Sequence, residues 1–191
     1  CELRPGGTAV FVGAGGPMGQ MHVQRSLEKP DGPKLVIATE ISDERLQTLD
    51  EMFSPLAKEH DRTILFFNPV TSKQSLHDFV MQATNGQGAD DVVVSVPVAK
   101  LMEEADTVMK PDGMLVLFAG VPNGTMGKVQ LSNVYLSNAQ YTGTSGLTMD
   151  DQKLVMDRRL SGTLSPGRSV AAIGGLNTAA EGLQAVMDGR F

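Results

Sequence analysis

Short apolar runs alternate along the chain with longer segments in which apolar residues recur at helical spacing. Five runs have the length and β-branched character of buried strands: residues 8–12, 35–38, 63–67, 91–95 and 114–119. Helical spacing follows or precedes them at residues 19–27, 42–56, 72–83 and 101–109. Weaker patterns predict a sixth strand at residues 141–144 and two later helices over residues 150–160 and 178–187.

Strands that alternate with helices form a parallel sheet whose two faces are both covered. The pattern therefore predicts a doubly wound α/β fold. The sequence Pro111-Asp112-Gly113 is expected to form the turn that ends the fourth helix before the fifth strand. Because no linker-like change in composition divides the chain, we expect a compact unit over residues 1–147, with a helical portion, residues 148–191, packed against it.

Composition narrows the function further. The 191 residues are 41% apolar, which is enough for a sizeable core, and the net charge of −6 argues against an unaided binder of nucleic acid or of anionic membranes. A single cysteine, Cys1, excludes an internal disulfide and a multi-cysteine zinc site within the chain. No signal peptide and no apolar run of membrane-spanning length are present, so we expect a cytoplasmic protein.

The most informative motif is a glycine cluster directly after the first strand. Gly13, Gly15, Gly16 and Gly19 lie where a buried strand passes into a helix. Glycine in this position lets the backbone turn tightly and approach a pyrophosphate, which the free N–H groups of the helix then bind. The alternative is an ordinary α/β turn in which glycine serves the backbone geometry alone.

The spacing of the glycines departs from G-x-G-x-x-G and leaves two registers open. Counting from Gly13 and Gly15 puts Met18 where the last glycine belongs, whereas counting back from Gly19 through Gly16 puts Ala14 in the first position. The loop is thus either one residue longer than usual or carries alanine for its first glycine.

Glu40 supports a dinucleotide site, because it closes the second strand 21 residues beyond Gly19. An acid at this point accepts hydrogen bonds from ribose hydroxyls, and its charge repels the 2′-phosphate of NADP, so NAD is favoured over NADP. Arg45, one turn into the next helix, either packs on the adenosine or pairs with a phosphate, or is a solvated helix charge.

These motifs resemble the medium-chain, zinc-type alcohol and polyol dehydrogenases. The resemblance is carried by the glycine cluster and by residues 39–46, 84–90 and 110–114. Residues 91–97, 118–120 and 143–146 are similar to the L-sorbose 1-phosphate reductase-like branch of that family.

The resemblance implies a six-stranded Rossmann domain and assigns cofactor contacts by position. Gly15, Gly16, Pro17 and Met18 would lie against the pyrophosphate, and Glu40 and Arg45 at the adenosine ribose. The remaining contacts would be Val96 and Pro97 at the ribose and adenine, Ala119, Gly120 and Val121 beside the nicotinamide, and Thr144 and Ser145 near its carboxamide.

Enzymes of this family also carry an N-terminal domain that binds the catalytic zinc, and we expect that domain to be absent from this chain. The chain would then be the cofactor domain of an oxidoreductase acting on a polyol, sugar or sugar phosphate, would bind the dinucleotide without turnover, and would form a homo-oligomer. We assign no catalytic or metal-binding residue within it, since His22, His60 and His77 lack partners at metal-ligand spacing. We interpret the adjacent acids Glu103 and Glu104 as a solvated helix face.

Two other functions are compatible with the same motifs. An S-adenosylmethionine-dependent methyltransferase also uses a glycine loop and an acid after its second strand, but its sheet ends in an antiparallel hairpin, for which the sequence has no clear signal. A non-catalytic module that senses NADH is the other alternative.

Overall fold

The computed structural model describes residues 2–188 and residue 190. In this part of the chain, six strands form one sheet in the order β3-β2-β1-β4-β5-β6, and every pairing is parallel. The strands are β1 (Thr8–Val12), β2 (Leu35–Thr39), β3 (Thr63–Phe67), β4 (Ala89–Val94), β5 (Met109–Leu117) and β6 (Gln140–Thr142). The doubly wound Rossmann fold is therefore confirmed, and the described strands contain no antiparallel hairpin of the methyltransferase kind.

Helices connect the strands and continue beyond the last one. They are α1 (Pro17–Glu28), α2 (Asp43–Glu59), α3 (Leu76–Ala83), α4 (Ala99–Asp106), α5 (Ser132–Leu136), α6 (Met149–Leu160) and α7 (Ala179–Met187). Ser42 caps α2, because its Oγ accepts a hydrogen bond from the Arg45 N–H at 3.3 Å. Among the described residues, no helix combines the length and the apolar character needed to cross a membrane.

Successive residues of each strand face opposite sides of the sheet, and a hydrophobic core covers each side. Val10 and Val92 belong to a core that α3 and α4 cover, whereas Phe11 and Val93 belong to a second core that α1 and α2 cover. Because β4 is buried along its whole length, it reads as a continuous apolar run after two aspartates rather than as an alternating pattern.

The chain reverses its winding direction between β1 and β4. β1 pairs with β2 on one side and with β4 on the other, and the connections on the two sides cover opposite faces. In open parallel sheets such a reversal leaves a crevice at the carboxyl ends of the strands, where ligands bind.

Several elements differ from the sequence prediction. Helix α3 begins at Leu76 rather than near residue 72, since Ser75 is its cap and Asn68 holds the preceding turn through the N–H of Val70 at 2.9 Å. The predicted turn at residues 111–113 lies inside β5, where a bulge shifts the register and Asp112 adopts a φ of +61°. The sixth strand is shorter than predicted, and α5 was not predicted at all.

Candidate functional site

A cleft of about 400 Å³ opens at the carboxyl ends of β1, β2 and β4. Its wall comes from the glycine loop after β1, the end of β2, the residues after β4, and α4. The sequence-predicted residues that line it are Gly13, Gly16, Pro17, Met18, Gly19, Glu40, Arg45 and Val96.

The glycine loop is one residue longer than G-x-G-x-x-G. Gly13 turns the chain with a φ of +79°, and a Cβ there would lie 2.4 Å from Val96 Cγ1. A Cβ on Gly19 would lie 2.4 Å from the backbone oxygen of Gly13, so Gly19 lets α1 pack directly on the turn. Gly13 and Gly19 thus carry out the roles of the first and last glycines, six positions apart, and Ala14 is not a substitute for the first one.

The loop is fixed to the end of β2. The backbone oxygen of Thr39 accepts hydrogen bonds from the N–H groups of Gly13, at 3.1 Å, and Ala14, at 2.8 Å. On the other side of the loop, the Gln20 side chain donates to the Gly15 oxygen at 3.0 Å. The loop is therefore held in place without any ligand.

The start of α1 is open toward the cleft. Gly16 is the N-cap, and among the described residues a Cβ on it would meet nothing within 4 Å. Pro17 is the first helical residue, and the side chain of Met18 is 44% exposed. Helix N-termini attract anions through their free N–H groups and their dipole, so a phosphate can approach here.

Glu40 is buried at the end of β2 and is oriented by three backbone N–H groups. Its Oε2 accepts from Gly15 at 3.1 Å, and its Oε1 accepts from Ile41 at 2.8 Å and from Ser42 at 3.2 Å. A Cβ on Gly15 would lie 2.3 Å from Glu40 Oε2, so the loop and the carboxylate are in direct contact. The side chain is 8% exposed and cannot turn away from the cleft without breaking these bonds.

Arg45 lies in the first turn of α2 and borders the cleft beside Glu40. It also lines a neighbouring cleft of about 610 Å³, together with Gly15, Arg168 and Ser169. Arg45 thus borders both clefts.

The other predicted residues lie further along the carboxyl edge of the sheet. Ala119 is bonded to the end of β4, since its N–H donates to the Val94 oxygen at 3.0 Å. Pro97, Gly120 and Val121 are exposed, as are Thr144 and Ser145 after β6, and none of these residues lines the 400 Å³ cleft. Their roles stay predictions.

Several lining residues escaped the sequence analysis: Thr39, Ile41, Pro69, Leu76, Ser95, Val98, Leu101 and Glu104. The sequence could have identified Ser95, because it is the first polar residue after a buried parallel strand. Its Oγ is buried and finds no hydrogen-bond partner in the described part of the chain. A buried hydroxyl in this state is satisfied when a ligand or water occupies the cleft.

The histidines do not gather around the cleft. His22 lies on α1 with its ring 4.4 Å from that of Phe118 and 6.3 Å from that of Phe11. Burial, with a smaller contribution from the charge of Arg25, lowers the pKa of His22. Within residues 2–188 and 190, no three His, Cys, Asp or Glu side chains come together as a metal site would require.

Comparison with known proteins identifies relatives over most of the chain. Residues 29–160 match the family model described as zinc-binding dehydrogenase. The chain is 30% identical to mannitol-1-phosphate 5-dehydrogenase from Aliivibrio fischeri over 93% of its length, and 26% identical to L-sorbose 1-phosphate reductase from Klebsiella pneumoniae over 94%. It spans 42% of the length of each of these two relatives.

Solved structures share the fold. The chain superposes on a short chain alcohol dehydrogenase from E. coli CFT073, solved with the cofactor NADH, with a TM-score of 0.73 at 19% identity. This match covers 97% of the chain and 50% of that structure. At 19% identity, this similarity shows a shared fold.

Proposed function

Since the chain belongs to the zinc-binding dehydrogenase family, we propose that it is the NAD-binding part of an enzyme that moves a hydride between nicotinamide and an alcohol. The observation that carries the proposal is the hydrogen bond from the Gly15 N–H to Glu40, a residue that lines the cleft at the switch point of the sheet. This contact joins a pyrophosphate-binding loop to a ribose-binding acid.

The glycine loop would hold the pyrophosphate. Gly16 is the position where the loop has open space, and the N–H groups of Met18 and Gly19 belong to the first turn of α1. Pro17 lines the same side of the cleft, and Gly15 joins the loop to Glu40. The open space at Gly16 and the free N–H groups at the start of α1 suit an anion, so the residues present fit the phosphates of a dinucleotide.

Glu40 would accept the hydroxyl groups of the adenosine ribose. Both oxygens are already oriented by backbone N–H groups: Oε1 accepts from two of them, whereas Oε2 accepts from one and keeps a lone pair for a ribose hydroxyl. A fixed, charged carboxylate repels a 2′-phosphate, so we propose NAD rather than NADP as the cofactor. Arg45 would then pack against the adenosine.

The nicotinamide half would extend along the carboxyl edge of the sheet past β4. Val96 lines the cleft, and Pro97 follows it. Beyond them lie residues 119–121 and, after β6, Thr144 and Ser145, which we propose border the nicotinamide and its carboxamide. Bound nicotinamide supplies or accepts the hydride, and these residues orient it.

For the substrate, we propose a polyol, a sugar or a sugar phosphate. The support is the similarity to mannitol-1-phosphate 5-dehydrogenase and L-sorbose 1-phosphate reductase. We further propose that zinc, and the side chains that act as acid and base, belong to a domain outside this chain, so that the chain alone binds the cofactor without turnover.

We also propose that the protein is a homo-oligomer. Exposed apolar side chains cluster on and before α5, next to the edge strand β6, and Tyr135 there is 90% exposed. Leu131, before α5, and Leu136, at its end, are also exposed. Sedimentation of the chain at increasing concentration tests this, and a monomer at all concentrations would contradict it.

The decisive experiment is a parallel titration of the chain with NADH, NADPH and S-adenosylmethionine. The chain has no Trp, so the fluorescence of the reduced cofactor reports binding against a low background. We expect NADH to bind, NADPH to bind at least tenfold more weakly, and S-adenosylmethionine not to compete. Competition by S-adenosylmethionine without binding of NADH would refute the dehydrogenase proposal.

A further inference from the structure

The segment that follows β5 is bonded to α4 at its far end. Residues 120–130 carry no helix or strand and are exposed along their whole length. At one end, the N–H of Ala119 is bonded to Val94. In the middle, the Pro122 oxygen accepts from the Thr125 N–H at 3.1 Å and closes a local turn.

The far end of this segment is bound by two carboxylates of α4. Glu103 Oε1 accepts a hydrogen bond from the Lys128 N–H at 2.9 Å, and Asp106 Oδ2 accepts one from the Gln130 N–H at 2.9 Å. The two acids are three residues apart and therefore share a helix face, which presents acceptors to alternate N–H groups of an extended backbone. Glu103 is thus not the solvated charge that the sequence suggested.

Asp106 also joins a third element to this contact. It is 6% exposed, and its Oδ1 accepts a hydrogen bond from the Tyr141 hydroxyl of β6 at 2.6 Å. Burial and the neighbouring carboxylate raise the pKa of Tyr141, so the phenol stays a donor. The carboxylate of Asp106 is consequently fixed from both sides.

Helix α4 lies between this contact and the cofactor cleft. Leu101 and Glu104 of α4 line the cleft, while Glu103 and Asp106 bind the segment. A dinucleotide that follows the carboxyl edge of the sheet passes from the β1–β2 side toward β4 and β5, where the segment begins.

We infer that Glu103 and Asp106 are positioning residues that set the shape of segment 120–130 and thereby the affinity for the nicotinamide half of the cofactor. The inference rests on the proposed function. Neither acid touches the cleft through its carboxylate contacts, so both act through the backbone of Lys128 and Gln130.

The test compares two ligands and two substitutions at one position. ADP-ribose lacks the nicotinamide, and NADH contains it. Glu103→Ala removes the acceptor for the Lys128 N–H, whereas Glu103→Gln keeps an acceptor oxygen and serves as the matched control. We expect Glu103→Ala to weaken NADH binding roughly tenfold, the loss of about one hydrogen bond, and to leave ADP-ribose binding within twofold of the wild-type chain.

Hydrogen exchange gives an independent measure. The Lys128 amide should lose protection in Glu103→Ala and keep it in Glu103→Gln, and Asp106→Ala should expose the Gln130 amide in the same way. Equal weakening of NADH and ADP-ribose, or unchanged NADH binding despite the loss of amide protection, would overturn the inference. A wild-type chain that binds neither ligand would instead refute the proposed function and the inference with it.

Discussion

The carboxylate of Glu40 accepts a hydrogen bond from the backbone N–H of Gly15 at 3.1 Å, across 25 positions of sequence. The end of β2 and the glycine loop are therefore one structural unit. A change at either residue should affect the other, and the effects on cofactor choice and on stability can be separated experimentally.

Glu40→Gln tests the charge of this unit. The amide keeps an acceptor oxygen and similar shape but does not repel a 2′-phosphate. We expect the ratio of the NADPH to the NADH dissociation constant to fall about tenfold, which corresponds to about 1.4 kcal/mol. Fluorescence titrations with both cofactors measure it, and an unchanged ratio would show that the charge of Glu40 does not select NAD.

Gly19→Ala tests the close approach of α1 to the loop. The new Cβ would lie 2.4 Å from the Gly13 backbone oxygen, which cannot move without displacing the turn. We expect the free energy of unfolding, measured in urea, to fall by about 2–3 kcal/mol.

Gly16→Ala is the matched control for that substitution. Within the described structure its Cβ meets no atom within 4 Å, and the φ of −79° suits alanine. Stability should change by less than about 0.5 kcal/mol, while NADH binding should weaken if the pyrophosphate occupies the open space. Equal destabilisation by both substitutions would contradict the assignment of Gly19 as the packing glycine.

His22 should make the protein less stable in mildly acidic solution. Because burial lowers the pKa of the folded imidazole, the unfolded chain binds the proton more tightly. The free energy of unfolding is therefore highest above about pH 6.5, the pKa of histidine in the unfolded chain. It falls as the pH drops from there through the lower pKa that His22 has in the folded protein. His22→Leu should flatten the dependence of the urea midpoint between pH 7 and pH 5, with His77→Leu, a half-exposed histidine, as the control.

Glu28 should hold the segment after α6 against α1. It is 7% exposed, and its Oε2 accepts from the Ser165 N–H at 3.0 Å and from the Gln24 side chain at 3.1 Å. We expect Glu28→Ala to lower the free energy of unfolding by about 2 kcal/mol, because Gln24 and the Ser165 amide each lose a hydrogen-bond acceptor. Hydrogen exchange at Ser165 checks the mechanism: retained protection would mean that another contact holds the segment.

The fold was predictable wherever local pattern and tertiary structure agree. The strand β1, the glycine turn and the first apolar stripe of α1 are encoded within about twenty consecutive residues, and Glu40 is identified by its distance from them. The same local information was sufficient for the cap of α2 at Ser42.

The remainder depends on contacts that are distant in sequence. Residues 111–113 have the composition of a turn, yet they lie within β5 as a bulge, because Met109 and Met114 on either side of them pair with β4. Glu103 has the composition of a surface charge, and its partner Lys128 is identified by the fold alone. Pattern analysis cannot supply such pairs, since neither residue carries a signal for the other.

The backbone oxygen of Thr39 accepts hydrogen bonds from the N–H groups of both Gly13 and Ala14. These two bonds affect the thermodynamics of cofactor binding. The loop is ordered by the same folding event that forms the sheet, so binding has little conformational entropy left to remove. A cofactor meeting this surface should associate without a slow rearrangement, and its residence time should reflect broken contacts rather than the opening of a loop.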